Sequence, residues 1–135
     1  MIAYRVKEQD LVDAIKAEKP GWLARAAART ASFRASGRYR ESSGIWSEVK
    51  QVYMNLQFNK CAYCERLLTD GRIEHDLEHY RPKSKARPWT VSATLRREGV
   101  SLTPAASGTF DPGYHLLAYH PLNYCTSCKS CNSTL

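Results

Sequence analysis

Two pairs of cysteines, each with two residues between its members, constrain this chain more than any other feature. The pairs are Cys61 with Cys64 and Cys128 with Cys131. Each pair offers two thiolates from one tight turn, and two such turns brought together form a tetrahedral zinc site. That site would close residues 65 to 127 into one loop. We therefore predict a structural Zn²⁺ ion with no open coordination position and no part in chemistry.

Other interpretations of the cysteines stay open at this level. They could be small buried apolar residues, or one pair could be a redox couple. Cys125 adds an ambiguity, because Cys125 and Cys128 have the same spacing as the two pairs. The sequence shows no apolar targeting segment and no membrane-spanning run, so we expect a cytoplasmic protein without a membrane partner. Cysteines in that reducing compartment are seldom disulfides, which favours zinc.

The size and charge of the chain indicate a small globular protein that could bind nucleic acid. A chain of 135 residues with 43% hydrophobic content can bury one modest core. Its formal net charge of +7 favours a polyanionic partner through counterion release. The same charge would suit an acidic lipid face or simple solubility, so it does not decide the function.

The first 58 residues are predicted to be helical. Apolar residues recur at helical spacing after Asp10, which we expect to be an N-cap, again after Pro20, and a third time over residues 44–58. Arg25 and Arg29 share one face of the second segment. That face is either solvated or a track for phosphates, and the sequence leaves both open.

The segment Asp76 to Lys85, DLEHYRPKSK, brings three kinds of chemical group together. A carboxylate at Glu78 can hold a divalent cation, and His79 can take a proton near neutral pH. The cations after them, Arg81, Lys83 and Lys85, can hold phosphate. These groups suffice to hydrolyse a phosphodiester with one metal ion, although alone the segment could be an ordinary basic turn.

The runs CAYCE, EHYRPKSK and LAYHPLNYCTSCKSCN resemble those of HNH endonucleases with a zinc-stapled ββα-metal fold, over residues 61 to 132. The resemblance places the first His on His79, the middle Asn on Asn123 and the last polar residue on Asn132. It implies that Glu78 and Asn132 bind a catalytic Mg²⁺ or Mn²⁺. It also implies that zinc is held by Cys61, Cys64, Cys128 and Cys131, with Cys125 outside the shell.

The resemblance assigns a role to each of these groups. His79 is expected to be the general base, held in one tautomer by Asn123 or by a backbone carbonyl. The AYCE and EHxRPKS motifs are also similar to those of small HNH proteins found beside ATPases in retron and Septu anti-phage systems. That similarity implies a role in antiviral defence and an ATPase partner.

We thus expect an α+β protein with a helical region over residues 1–58 and a zinc-bound ββα HNH unit over residues 59–135. The first strand is predicted over residues 73–80, the last helix from near Cys128, and a short helix near residues 94–98 within a loop. Only three residues follow Asn132, so we expect the last helix to be cut short. DNA is the favoured substrate. The alternatives are a ribonuclease on the same scaffold and a zinc-ribbon module that binds nucleic acid without cleaving it.

Overall fold

Helices dominate residues 4–58, which we call the helical half, and a small sheet and a cysteine cluster are formed by residues 59–134, which we call the second half. This arrangement is seen in a computed structural model, which describes residues 4–85, 91–99 and 113–134. The helices are α1 (Glu8–Glu18), α2 (Trp22–Ser36), α3 (Lys50–Leu56), α4 (Ala93–Arg97) and α5 (Lys129–Thr134). The strands are β1 (His75–His79) and β2 (Tyr124–Cys128). Single 3₁₀ turns span Trp46–Val49, His115–Leu117 and Pro121–Asn123. The predicted α+β class is confirmed.

Two helix boundaries differ from the prediction. Helix α1 starts at Glu8 after an extended Lys7, so Asp10 lies inside its first turn and the prediction of an Asp10 N-cap was wrong. The Asp10 carboxylate still interacts favourably with the positive N-terminal end of the α1 dipole. The helix predicted over residues 44–58 is a 3₁₀ turn followed by the shorter α3. Phe58 and Asn59 adopt left-handed backbone angles, which end that segment and turn the chain toward the first cysteine pair.

Arg25 and Arg29 of α2 form ion pairs with carboxylates while staying partly exposed to solvent. Arg25 Nη2 lies 2.6 Å from Glu48 Oε2. Arg29 pairs with Glu41, which also accepts hydrogen bonds from two tyrosine hydroxyls. These contacts tie α2 to Glu41 and Glu48, which precede α3 in the chain. The prediction that this face is solvated or a phosphate track stays open.

The main hydrophobic core joins the helical half to the second half. Residues 11 to 53 supply its helical side, including the fully buried Ile15 and Trp22. From the second half come Leu77, Ala118, Tyr119 and Tyr124. The division of the chain at residue 58 stays a prediction.

Strands β1 and β2 pair antiparallel and present two different faces. Glu78 lies opposite Cys125, and His79 lies opposite Tyr124. Because side chains alternate along a strand, Leu77 and His79 face the core, whereas Asp76 and Glu78 share the other face. Helix α5 packs against both strands and reaches Asp76. The strand predicted over residues 73–80 and the start of α5 are confirmed to within two residues.

The region predicted as a loop is described only in part. Helix α4 confirms the short helix expected near residues 94–98, and Ser92 caps it by accepting a hydrogen bond from the Leu95 backbone. The remainder of the predicted loop, residues 86–90 and 100–112, lies outside the described residues.

Replacing Gln57 with alanine should destabilise the fold. The Gln57 amide is 1% exposed and bonds both the backbone N–H and the carbonyl of Thr126, which ties the end of α3 to β2. Leaving those groups unpaired should cost about 3 kcal/mol of unfolding free energy, measured by urea denaturation. The control is Gln51→Ala on the exposed face of α3, expected to cost less than about 0.5 kcal/mol. Equal losses for the two variants would contradict this account.

Candidate functional site

The two cysteine pairs converge on one point. The sulfurs of all four cysteines lie within 4.8 Å of one another: Cys61, Cys64, Cys128 and Cys131. Cys64 Sγ and Cys128 Sγ are 3.8 Å apart. A tetrahedron of sulfurs about 2.3 Å from a Zn²⁺ ion has edges of about 3.8 Å, so the cluster fits this ion. The cluster can therefore hold one zinc.

The electrostatics of the cluster also call for a cation. Burial alone would raise the pKa of Cys61, but backbone N–H groups of the two knuckles overcome it and lower that pKa to about 6. Hydrogen bonding with the Cys128 thiol, followed by burial, raises the pKa of Cys131 to about 12. Four thiolates within 4.8 Å would place like charges side by side, and a bound Zn²⁺ ion would offset that charge.

Cys125 lies apart from the cluster. It occupies β2 opposite Glu78, and its thiol is 3.7 Å from the hydroxyl oxygen of Tyr63. Burial raises the pKa of Cys125, so it stays a protonated thiol. Its side chain belongs to the sheet face beside Glu78 and not to the four-sulfur group.

His79 is held as a neutral imidazole at the end of β1. It is 8% exposed and contacts the rings of Trp46 and Tyr124, with centroids 4.8 and 5.0 Å away. Burial, followed by the nearby charge of Lys83, lowers the pKa of His79 to about 4. Its Nε2 lies 3.0 Å from the carbonyl oxygen of Ala118.

The tautomer of His79 follows from this contact. A carbonyl oxygen can only accept, so Nε2 carries the proton and Nδ1 carries the lone pair. No group in residues 4–85, 91–99 or 113–134 hydrogen-bonds to Nδ1. The ring is therefore fixed by the backbone carbonyl of Ala118, and its basic nitrogen is unengaged within the described structure.

Asn123 fixes the chain that follows β1. Its Oδ1 accepts from the Arg81 backbone N–H at 2.8 Å, and its Nδ2 donates to the carbonyls of Arg81 and Leu117. The amide is 4% exposed and fully used in this way. Asn123 thus holds the turn beyond His79, and a backbone carbonyl orients the His79 ring.

The second group of polar residues lies on the other face of β1. Glu78 is half-buried and has no hydrogen-bond or ion-pair partner among the described residues. Asn132, on α5, donates from Nδ2 to Asp76 Oδ2 at 3.4 Å. The contact of Asn132 is therefore with Asp76, two residues before Glu78 on the same face. Oxygen ligands of this kind suit Mg²⁺.

The predicted phosphate-binding cations have different environments. Lys83 is half-buried, and its ammonium lies 4.5 Å from the ring centroid of Trp46 and 5.5 Å from that of Tyr39. Burial lowers the pKa of Lys83. Arg81 is exposed and stacks its guanidinium over Tyr114, and Lys85 is exposed. Lys83 and His79 thus contact the same ring, that of Trp46.

Comparison with known proteins gives one relative. The chain is 25% identical over 128 residues to the Septu protein PtuB of Bacillus mycoides (strain KBAB4). The aligned region covers 95% of this chain and 38% of that relative, so the chain spans well under half of the relative's length. No family model matches the sequence, and no solved structure matches the fold. Among the described helices, none is long and apolar enough to cross a membrane.

Sequence reasoning missed several residues that shape this site. Trp46 and Tyr39 lie in the helical half, where nothing in the pattern linked them to His79 or Lys83. The carbonyl of Ala118 carries no signal in a sequence at all. Asp76 could have been found, because residues two apart on a strand share a face.

Changing Cys125 to serine should leave the protein with about one equivalent of zinc, because its sulfur lies outside the four-cysteine group. Cys128→Ser is the matched variant within the same sequence run and should lose the ion, since the buried Cys128 is one of the four ligands. Metal content measured by atomic emission on the purified variants distinguishes them. Loss of zinc from the Cys125 variant would show that the ligand assignment is wrong.

Proposed function

We propose that the protein is a metal-dependent HNH endonuclease that hydrolyses phosphodiester bonds in nucleic acid, with DNA as the favoured substrate. The observation that carries the proposal is the state of His79. A neutral imidazole, fixed through Nε2 and with no hydrogen-bond partner at Nδ1 among the described residues, can accept a proton at Nδ1. Glu78 precedes His79 on β1, is half-buried on the opposite face and has no hydrogen-bond or ion-pair partner among the described residues. Because β1 ends at His79, we propose that both side chains reach one scissile phosphate at the end of the strand.

The residues act on the substrate as follows. His79 Nδ1 removes the proton from a water molecule, whose oxygen attacks the phosphorus while the bond to the leaving oxygen breaks. Glu78 and Asn132 would hold the catalytic Mg²⁺ or Mn²⁺, which when bound neutralises charge developing on the phosphate and leaving oxygens. The ring of Trp46 separates His79 from solvent on one side.

The cations hold the substrate. Lys83 is positioned by two aromatic rings beside His79, where its ammonium can pair with the scissile phosphate. Arg81 and Lys85, which are exposed, would contact phosphates farther along the strand. The net charge of +7 supports attraction to a polyanion.

Zinc has a structural role in this proposal. A Zn²⁺ ion held by Cys61, Cys64, Cys128 and Cys131 has four thiolate ligands and no open position. It would fix the end of β2 and the start of α5 against the turn at Cys61, and so place Asn132 near β1.

The biological role proposed is defence against phage in the cytoplasm, together with an ATPase partner. This proposal is supported by the likeness of the chain to a Septu protein and by its HNH-like motifs. Two results are expected. An ATPase should co-purify with the tagged protein, and cells that carry the wild-type protein should resist phage better than cells that carry His79→Ala.

His79→Ala should lower cleavage at least about a hundredfold, because the base is lost. The assay follows nicking of supercoiled plasmid and cleavage of RNA in Mg²⁺ and Mn²⁺, with the protein as expressed in its native cells. Zinc content and DNA binding should stay unchanged, since His79 is not one of the four sulfur ligands. His75→Ala, on the same strand, is the matched control and should retain activity.

Three results would contradict the proposal in whole or in part. Full activity of His79→Ala would move the base to another residue. A wild-type protein that binds DNA and RNA but cleaves neither in any divalent metal would support the zinc-ribbon binding module instead. Cleavage of RNA alone would identify a ribonuclease on this scaffold.

A further inference from the structure

Asp76 stands between two donors from helix α5. Its Oδ2 accepts a hydrogen bond from Asn132 Nδ2 at 3.4 Å and from the Lys129 ammonium at 3.2 Å. Asp76 shares its strand face with Glu78, which has no such partner in the described part of the chain. The carboxylates of Asp76 and Glu78 therefore differ in environment, since only Asp76 is bound to α5 in the described part of the chain.

The chemistry of the amide makes this contact selective. The Asn side chain has a donor end and an acceptor end of nearly the same shape, and the two exchange when the amide rotates by half a turn. An ionised carboxylate can only accept, so Asp76 selects the orientation with Nδ2 toward itself. Asn132 Oδ1 is then turned away from Asp76. Mg²⁺ and Mn²⁺ bind oxygen ligands and not amide nitrogen. Asn132 can therefore coordinate such an ion only with its Oδ1 turned toward the ion.

Lys129 fits the same task. Its ammonium partly neutralises Asp76 at the oxygen that Asn132 uses, which makes that carboxylate a weaker cation ligand than it would be without the ammonium. The pairing also anchors the first turn of α5 to β1. Asp76 is thereby suited to orient a ligand rather than to be one.

We infer that Asp76 is a positioning residue, which fixes the amide of Asn132 so that its oxygen faces the catalytic metal beside Glu78. This inference rests on the proposed function, because it requires a metal at Glu78 and Asn132. Groups that orient a metal ligand from behind typically contribute about 10- to 100-fold in metal affinity.

The test measures Mn²⁺ binding to zinc-loaded protein by the electron paramagnetic resonance signal of free Mn²⁺. In Asp76→Asn the new amide can also donate to Asn132 Oδ1, so Asn132 can rotate. Mn²⁺ affinity should fall at least about tenfold with zinc content unchanged. Asp13→Asn, an exposed carboxylate on α1, is the matched control and should bind Mn²⁺ as the wild type does. An affinity of Asp76→Asn within about twofold of wild type would overturn the inference.

A second background separates orientation from mere structural support. Asn132→Asp has two equivalent oxygens and needs no orientation, so adding Asp76→Asn there should not weaken Mn²⁺ binding. The same loss in both backgrounds would reduce Asp76 to a structural residue and overturn the inference. Glu78→Gln separately tests the proposed metal site on which the inference rests. If it leaves Mn²⁺ binding unchanged, the proposed metal site and this inference both fail. If it abolishes binding while Asp76→Asn does not weaken it, only the inference fails.

Discussion

Four thiol groups brought within 4.8 Å of one another set the arrangement of the second half of the chain. Zinc binding would deprotonate these thiols and offset the charge of the thiolates, so metal binding and the folding of the cluster would be coupled. The cluster joins a turn at Cys61 to the end of β2 and the start of α5. Helix α5 has six residues and could not persist alone, so its position depends on this junction.

The candidate site is built from both halves of the chain. Trp46, which follows the loop tied to α2, packs on His79 and lies under Lys83. A side chain at Gly44 would collide with the ring of Trp46, so this glycine is needed to seat it. The helical half thus supplies the apolar wall that keeps His79 neutral. Its removal would expose the ring and raise the pKa of His79 toward that of free imidazole.

Sequence reasoning succeeded where the relevant spacing is local. Two residues between cysteines define a knuckle, and the HNH resemblance, which places Asn132 on the last helix, implied that α5 starts near Cys128, as observed. It could not show how side chains from distant segments meet. The Nε2 partner of His79 is the carbonyl of Ala118, and the contact of Asn132 is with Asp76. Both contacts join residues that are far apart in the sequence and meet only in the folded protein, so no local residue pattern predicts them.

Diffraction from a crystal soaked in Mn²⁺, recorded at the zinc and manganese absorption edges, tests the account most directly. Two separate anomalous peaks are expected. The zinc peak should lie among the four cysteine sulfurs, and the manganese peak should lie within coordination distance of Glu78 and Asn132. Manganese found only at the sulfurs, or at neither residue, would contradict a catalytic metal site on this face of the sheet.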